Sequence, residues 1–209
     1  VEKNGWVKIV NKLDAYTGWC SQSHFQEIDH TQYYTEENNL AADRVNEIDY
    51  NGHIMWVPFG SSLTAMKNGN VSWRKNTVYF KGNVWEPAAV KHDAKTIKQL
   101  AFTFLNTTYL WGGRSVFGID CSGFTQSVYK FLNIHLLRDA QQQATQGELV
   151  GFLQEARCGD LAFFDDEEGC IIHVGILLNA HEIIHAAGKV RIDKIDNEGI
   201  VDADTGQRT

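Results

Sequence analysis

The chain of 209 residues has a formal net charge of −7, is 43% hydrophobic and 22% charged, and holds two prolines and four cysteines. That length suffices for one large or two modest globular units with buried cores. Six Trp, seven Tyr and eleven Phe exclude a disordered chain, the acidic balance argues against a nucleic-acid partner, and no apolar run approaches the roughly 18–20 residues of a membrane span.

Five of the six tryptophans (Trp6, Trp19, Trp56, Trp73 and Trp85) lie in the first 85 residues, which read as short strands. Trp6-Val7-Lys8-Ile9-Val10 alternates at period two, and Tyr16–Cys20 reads as a turn entering a strand. Residues 53–57, 62–66, 71–74, 77–80 and 83–86 are further strand candidates, separated by Gly-, Ser- and Asn-rich turns. This is the texture of small β-barrels. Residues 1–30 are too short to close one, and we read them as the tail of a domain that starts earlier. The sequence begins at Val1 without a signal-peptide pattern, so a leader was removed or never present.

The texture changes after Pro87. Asp93 is positioned to cap a helix with Ala94, Ile97, Leu100, Ala101, Phe104 and Leu105 on one face. A second helix starts near Cys121, with Phe124, Val128, Phe131 and Leu132 inward. Asp139 is placed to cap a short third helix that Gly147 ends. Strands are expected at Asp160–Phe164, Ile171–Leu178, Glu182–Ala187 and Lys189–Ile195. Helices followed by an antiparallel sheet give an α+β domain.

His181-Glu182-Ile183-Ile184-His185 matches the HExxH zinc-protease pattern. That chemistry needs two histidines one turn apart on a helix. This segment is β-branched at its centre and bounded by Asn179-Ala180 and Gly188, so it reads as a strand. Residues four apart on a strand are about 13 Å apart and cannot share an ion. Cys20, Cys121, Cys158 and Cys170 lack Cys-x-x-Cys spacing, which argues against a zinc knuckle or a disulfide framework.

The informative stretch is Tyr109-Leu110-Trp111-Gly112-Gly113 followed by Asp120-Cys121-Ser122-Gly123-Phe124. It sets a cysteine on the first turn of a helix, where unpaired N–H groups and the helix dipole favour thiolate. The charge of Asp120 opposes this, so a histidine base is needed. His173 and His185 are the candidates. A three-residue hairpin loop between their strands puts both on one sheet face, and a two-residue loop puts them on opposite faces. In the arrangement we infer, Cys121 is the nucleophile, His173 its base, and His185 holds the His173 ring.

These segments, with Cys-Gly-Asp-Leu-Ala-Phe-Phe (158–164), His-Val-Gly-Ile (173–176) and Ile-His-Ala (184–186), resemble the NlpC-type family of bacterial cell-wall peptidases over residues 93–195. The resemblance implies a papain-like α+β catalytic domain at 88–209, preceded by small all-β SH3-like units at 1–30 (partial) and 31–87. It implies hydrolysis of the bond between γ-D-glutamate and a diamino acid in peptidoglycan stem peptides. Catalytic Cys121, His173 and His185 are implied, as is an oxyanion site made by the Tyr109 hydroxyl and the Cys121 N–H. Trp111, Asp120 and Ser122 would border the substrate. The layout is similar to the dipeptidyl-peptidase VI branch, in which an aspartate of an Arg-Asp-Ser stretch holds the free amino group of an N-terminal L-alanine. Here the stretch is Arg138-Asp139-Ala140, so Asp139 fits and the serine is missing. No metal or organic cofactor is implied. The expected partner is a peptidoglycan-derived peptide, with neither nucleic acid nor a membrane span involved, and the expected location is the bacterial cell envelope, periplasmic or exported. Rival readings are an amidase or acyltransferase on the same fold, and a non-catalytic wall-binding protein. Cys158 stands where the family has proline, and Cys158 and Cys170 are read as free thiols.

Overall fold

The computed structural model describes residues 2–34, 38–64, 66, 69–73 and 75–208. Its internal contacts divide the chain into two units, residues 1–89 and 90–209.

The first unit is built almost wholly of strands. β1 (Glu2–Lys3), β2 (Trp6–Val10) and β3 (Thr17–Ser21) form an antiparallel three-stranded sheet. A one-turn helix follows, α1 (His30–Tyr33). Next come β4 (Leu40–Ala41), β5 (Val45–Tyr50), β6 (His53–Pro58), β7 (Asn70–Trp73), β8 (Asn76–Phe80) and β9 (Val84–Trp85). β4 pairs with β9, and the other four form a sheet in the order β6-β5-β8-β7. The strand expected at 62–66 is absent at its described positions. Ser62 makes an isolated bridge to Leu40, and Leu63 packs from a loop beside Ala41 and Phe80. Residues 65 and 74, at which two expected strands pass or end, lie outside the described residues. β5 was not foreseen, because Val-Asn-Glu-Ile-Asp-Tyr looks polar. Its buried Asn46 donates to the carbonyls of Asp43 and Val57, which makes an inward polar position tolerable. Asn51 and Gly52, both with positive φ, turn β5 into β6.

In the second unit, α2 (Ala94–Thr103) starts at the expected cap, with Asp93 Oδ1 accepting from Thr96 N at 2.8 Å. The short hairpin β10 (Arg114–Ser115) and β11 (Gly118–Ile119) leads into α3 (Cys121–Phe131). Phe104 and Phe124, both fully buried, pack edge to face at 5.8 Å. α4 (Ala140–Gln143) is a single turn that ends before Gly147.

A five-stranded antiparallel sheet follows in sequence order: β12 (Leu161–Asp165), β13 (Ile171–Asn179), β14 (Glu182–Ala187), β15 (Lys189–Asp196) and β16 (Gly199–Val201). The first four match the expected strands within a residue, whereas β16 had no sequence signal. The HExxH segment is strand β14 with the His181 turn before it, so its histidines do not face one ion from a helix. The β13–β14 loop is the two residues Ala180 and His181, which alone would put His173 and His185 on opposite faces. A register shift between Leu177 and Asn179 supplies the compensating residue, so Gly175 lies opposite His185 and both histidines share a face.

Candidate active site

α3 carries Cys121 on its first turn because Asp120, directly after β11, caps the helix. The Asp120 carboxylate is fully used inside the protein. Oδ1 accepts from Gly123 N at 2.7 Å, and Oδ2 accepts from Gly112 N at 2.8 Å. Arg138 donates to both oxygens, at 3.1 and 2.6 Å, and to Ser122 Oγ at 2.9 Å. Asp120, Ser122 and Arg138 are all under a tenth exposed. Glycine is required at 123, since a Cβ there would lie 2.3 Å from the Gly113 carbonyl oxygen.

Cys121 is buried in a cluster with Ala140 and Val174. Burial pushes its thiol pKa up and Asp120 adds to the rise, while the backbone N–H groups of Val174, Ser122 and Cys121 oppose it. The thiol therefore needs a base in order to ionise. Its neighbour Val174 directly follows His173 on β13, where adjacent side chains point to opposite faces, so the packing of Cys121 on Val174 does not itself bring His173 to the thiol.

Tyr109 is held by backbone pairing. Its N–H donates to the Gly188 carbonyl at 2.9 Å, and Thr107 and Val190 pair beside it. Gly188, with φ of +67°, makes the β14–β15 turn that provides this carbonyl. Burial raises the Tyr109 pKa, Cys121 and Asp120 raise it further, and Arg138 opposes them. The hydroxyl thus keeps its proton and remains a donor, within electrostatic reach of Cys121. Trp111 is 86% exposed and so is not a core residue. Asp139 is exposed and starts α4 in a capping box, its N–H donating to Gln142 Oε1 at 3.1 Å.

His173 Nε2 and His185 Nδ1 lie 2.8 Å apart, with the rings edge to face at 5.0 Å. They are diagonal neighbours, and the residue opposite His185 is Gly175. A Cβ on Gly175 would meet the His185 Cβ at 2.8 Å, so this glycine opens the space in which the two rings meet. Burial lowers the His173 pKa to about 4, with His185 contributing. His185 is 2% exposed and its pKa is also lowered by burial, against the pull of Asp193.

Sequence reasoning missed three residues. Arg138 was read only as the neighbour of Asp139, and Asp193 and Arg191 were not singled out. Asp193 Oδ2 lies 2.9 Å from His185 Nε2 and 2.9 Å from Arg191 Nε. The available signal was an Arg-x-Asp pair on a strand after one bearing a histidine, but using it requires the β14–β15 register. All four cysteines are free thiols. Among the described residues, no group of three or more His, Cys, Asp or Glu is placed to hold a metal ion.

Residues 106–209 match the NlpC/P60 family. The chain is 32% identical over 206 residues to the gamma-D-glutamyl-L-lysine dipeptidyl-peptidase of Bacillus subtilis (strain 168), covering 88% of this chain and 67% of that one. The chain belongs to the NlpC/P60 family. A Bacillus cereus (strain ATCC 10987 / NRS 248) protein of the same name is 28% identical, across 100% of this chain and 71% of its own. A crystal structure of an NlpC/P60 family protein from Bacillus cereus ATCC 10987 superposes with a TM-score of 0.79 at 22% identity, covering 95% of this chain and 73% of that one. The NlpC/P60 fold is thus the mixed α/β, papain-like arrangement with a curled sheet, and membership places the protein among cysteine-peptidase hydrolases of peptidoglycan.

Proposed function

We propose that this NlpC/P60 protein is a cysteine peptidase that cuts the bond between γ-D-glutamate and the diamino acid of peptidoglycan stem peptides bearing a free N-terminal L-alanine. The process served is cell-wall turnover or recycling at the cell envelope. The observation that carries the reading is the hydrogen-bonded pair of His173 and buried His185 on the sheet whose strand β13 also packs, through Val174, against Cys121 at a helix start. The names of the two Bacillus relatives support the bond specificity. We read residues 31–87 as an SH3-like unit.

In this mechanism Cys121 Sγ attacks the γ-carbonyl carbon as His173 takes the thiol proton. The Tyr109 hydroxyl and the Cys121 N–H hold the oxyanion, a pair that contributes several kcal/mol, on the order of 3 per donor. The C–N bond breaks as His173 returns the proton to the amine of the diamino acid. Water, deprotonated by His173, then cleaves the thioester and frees the L-alanyl-γ-D-glutamate acid. Asp120 and Ser122 act through Arg138 in fixing the helix start. Ala140 packs against Cys121, so Asp139 stands at the rim of this cluster, where its carboxylate pairs with the alanine ammonium. Exposed Trp111 borders the bound peptide in this reading.

The test compares hydrolysis of L-Ala-γ-D-Glu-L-Lys with that of its N-acetylated form. Cleavage of the free amine alone, abolished in Cys121→Ala and weakened about tenfold or more in Asp139→Asn, is expected. Equal cleavage of both forms overturns the free-amine requirement. Normal turnover by Cys121→Ala overturns the mechanism.

A further inference from the structure

We propose that Asp193 is a positioning residue of this site: through His185 it fixes the tautomer of His173, with the proton on Nε2 and Nδ1 left bare as the base. The inference rests on the reading of His173 as base.

Asp193 is 3% exposed, yet its carboxylate is fully engaged. Oδ2 faces His185 Nε2 and Arg191 Nε, both at 2.9 Å. Oδ1 accepts from Arg191 Nη2 at 3.1 Å and from Ala203 N at 2.8 Å. Arg191 is itself anchored, through Nη1 to Asp202 at 2.9 Å and through Nη2 to Asp204 at 3.4 Å. The pairings Gly175–His185, His185–Arg191 and Ile183–Asp193 put His173, His185, Arg191 and Asp193 on one face of three adjacent strands. The same face carries Leu177, Ile183 and Ile195 in the apolar cluster next along the strands. A sheet face that is otherwise a core therefore ends in a line of polar groups, each bonded to the next.

The direction of that line follows from what each group can donate. A carboxylate only accepts, so His185 Nε2 must carry a hydrogen. Burial keeps both imidazoles neutral near pH 7, so each ring has one proton. With its proton spent on Asp193, His185 presents a bare Nδ1. His173 Nε2, 2.8 Å away, must then donate. The opposite His173 tautomer would set two lone pairs face to face. His173 Nδ1 is thereby left without hydrogen, ready for the Cys121 proton. During attack one proton moves from Sγ to Nδ1, and none leaves the His185–Asp193 pair. The charge of Asp193, held by Arg191, orients the imidazolium that forms.

Asp193→Asn tests this directly. The fixed Ala203 N–H retains the amide oxygen at the Oδ1 position, so the NH2 faces His185 Nε2. His185 then shifts its proton to Nδ1, and His173 is forced to carry its own on Nδ1. The expected kinetic result, on L-Ala-γ-D-Glu-L-Lys, is a kcat loss of about 10²- to 10⁴-fold with KM within about threefold, the pattern of a wrong tautomer. Asp193→Glu, which keeps a carboxylate, is expected to regain at least about tenfold of that loss. Nitrogen-15 histidine NMR of the substrate-free full chain at pH 7 is expected to show His173 protonated at Nε2, and at Nδ1 in Asp193→Asn. Unchanged kcat in a folded Asp193→Asn protein overturns the inference. So does a wild-type spectrum with the proton on His173 Nδ1, which decides the matter even if the variant does not fold. If wild type fails to cleave the peptide, the proposed reaction falls while the NMR result still judges the tautomer.

Discussion

Arg138 is the side chain on which the setting of Cys121 most depends. Its guanidinium spans both Asp120 oxygens and the Ser122 hydroxyl, in a place where an unpaired carboxylate would be costly. Two backbone N–H groups would still hold Asp120 without it. Arg138→Met should therefore destabilise the protein by about 3 kcal/mol, at the low end for breaking a buried pair, as read by urea unfolding. It should also slow alkylation of Cys121 by iodoacetamide, because the Asp120 charge that raises the thiol pKa then loses its guanidinium partner. Arg138→Lys, which keeps the charge and loses the fork, should fall between the two. An Arg138→Met protein with wild-type stability and alkylation rate would show the pair to be incidental. From sequence, Asp120 was legible as a neighbour that opposes the thiolate. That Arg138 returns across 18 residues to neutralise it was not, since no spacing rule links a cap to a loop that follows the helix.

At the scale of elements, the strands from β12 to β15 and the helix that carries Cys121 were legible because periodicity and turn residues marked them. The joint presence of His173 and His185 on one face was right for a reason that sequence could not supply. The loop has two residues, and a bulge restores the parity that a longer loop would have given. Asp193 was invisible for a related reason, because it joins His185 only once the β14–β15 register is known. Gly175 shows the physics of that register. Its missing side chain leaves room opposite His185, where a Cβ would be 2.8 Å from the His185 Cβ and 2.6 Å from Ile183 Cδ1. The isoleucine tip can swing aside, but the histidine Cβ is fixed to the strand. Gly175→Ala should cost about 1–3 kcal/mol as an overpacked core position. It should also lower kcat more than about tenfold by pushing the rings apart, on the order expected for a misplaced catalytic pair. Full activity with the His173–His185 bond intact by NMR would refute the role given to this glycine.

For the molecule as a whole, the same two histidines, His185 buried and His173 half-buried, connect the chemistry to acid stability. Burial, with a smaller push from His185, holds His173 at about 4 in the fold, against an ordinary 6.5 in the unfolded chain. A depressed histidine pKa means that the unfolded state binds the extra proton first, so stability falls as pH drops from about 6.5 towards 4. His185 acts in the same direction. Two ion-paired carboxylates near the surface titrate in a different window. Asp196, held by Arg208, and Asp202, held chiefly by the Thr205 N–H, sit at about 2, so their contribution is lost only below their ordinary 3.8. The two windows can therefore be separated. Amide exchange in β13 and β14, corrected for its intrinsic pH dependence, should report a loss on the order of 3 kcal/mol between about pH 7 and pH 4 from His173. His173→Gln cannot titrate and should flatten most of that slope, leaving what is due to His185. If the slope survives unchanged, another group drives the acid transition. A flat wild-type profile would mean that the fold does not shift His173 from its ordinary value.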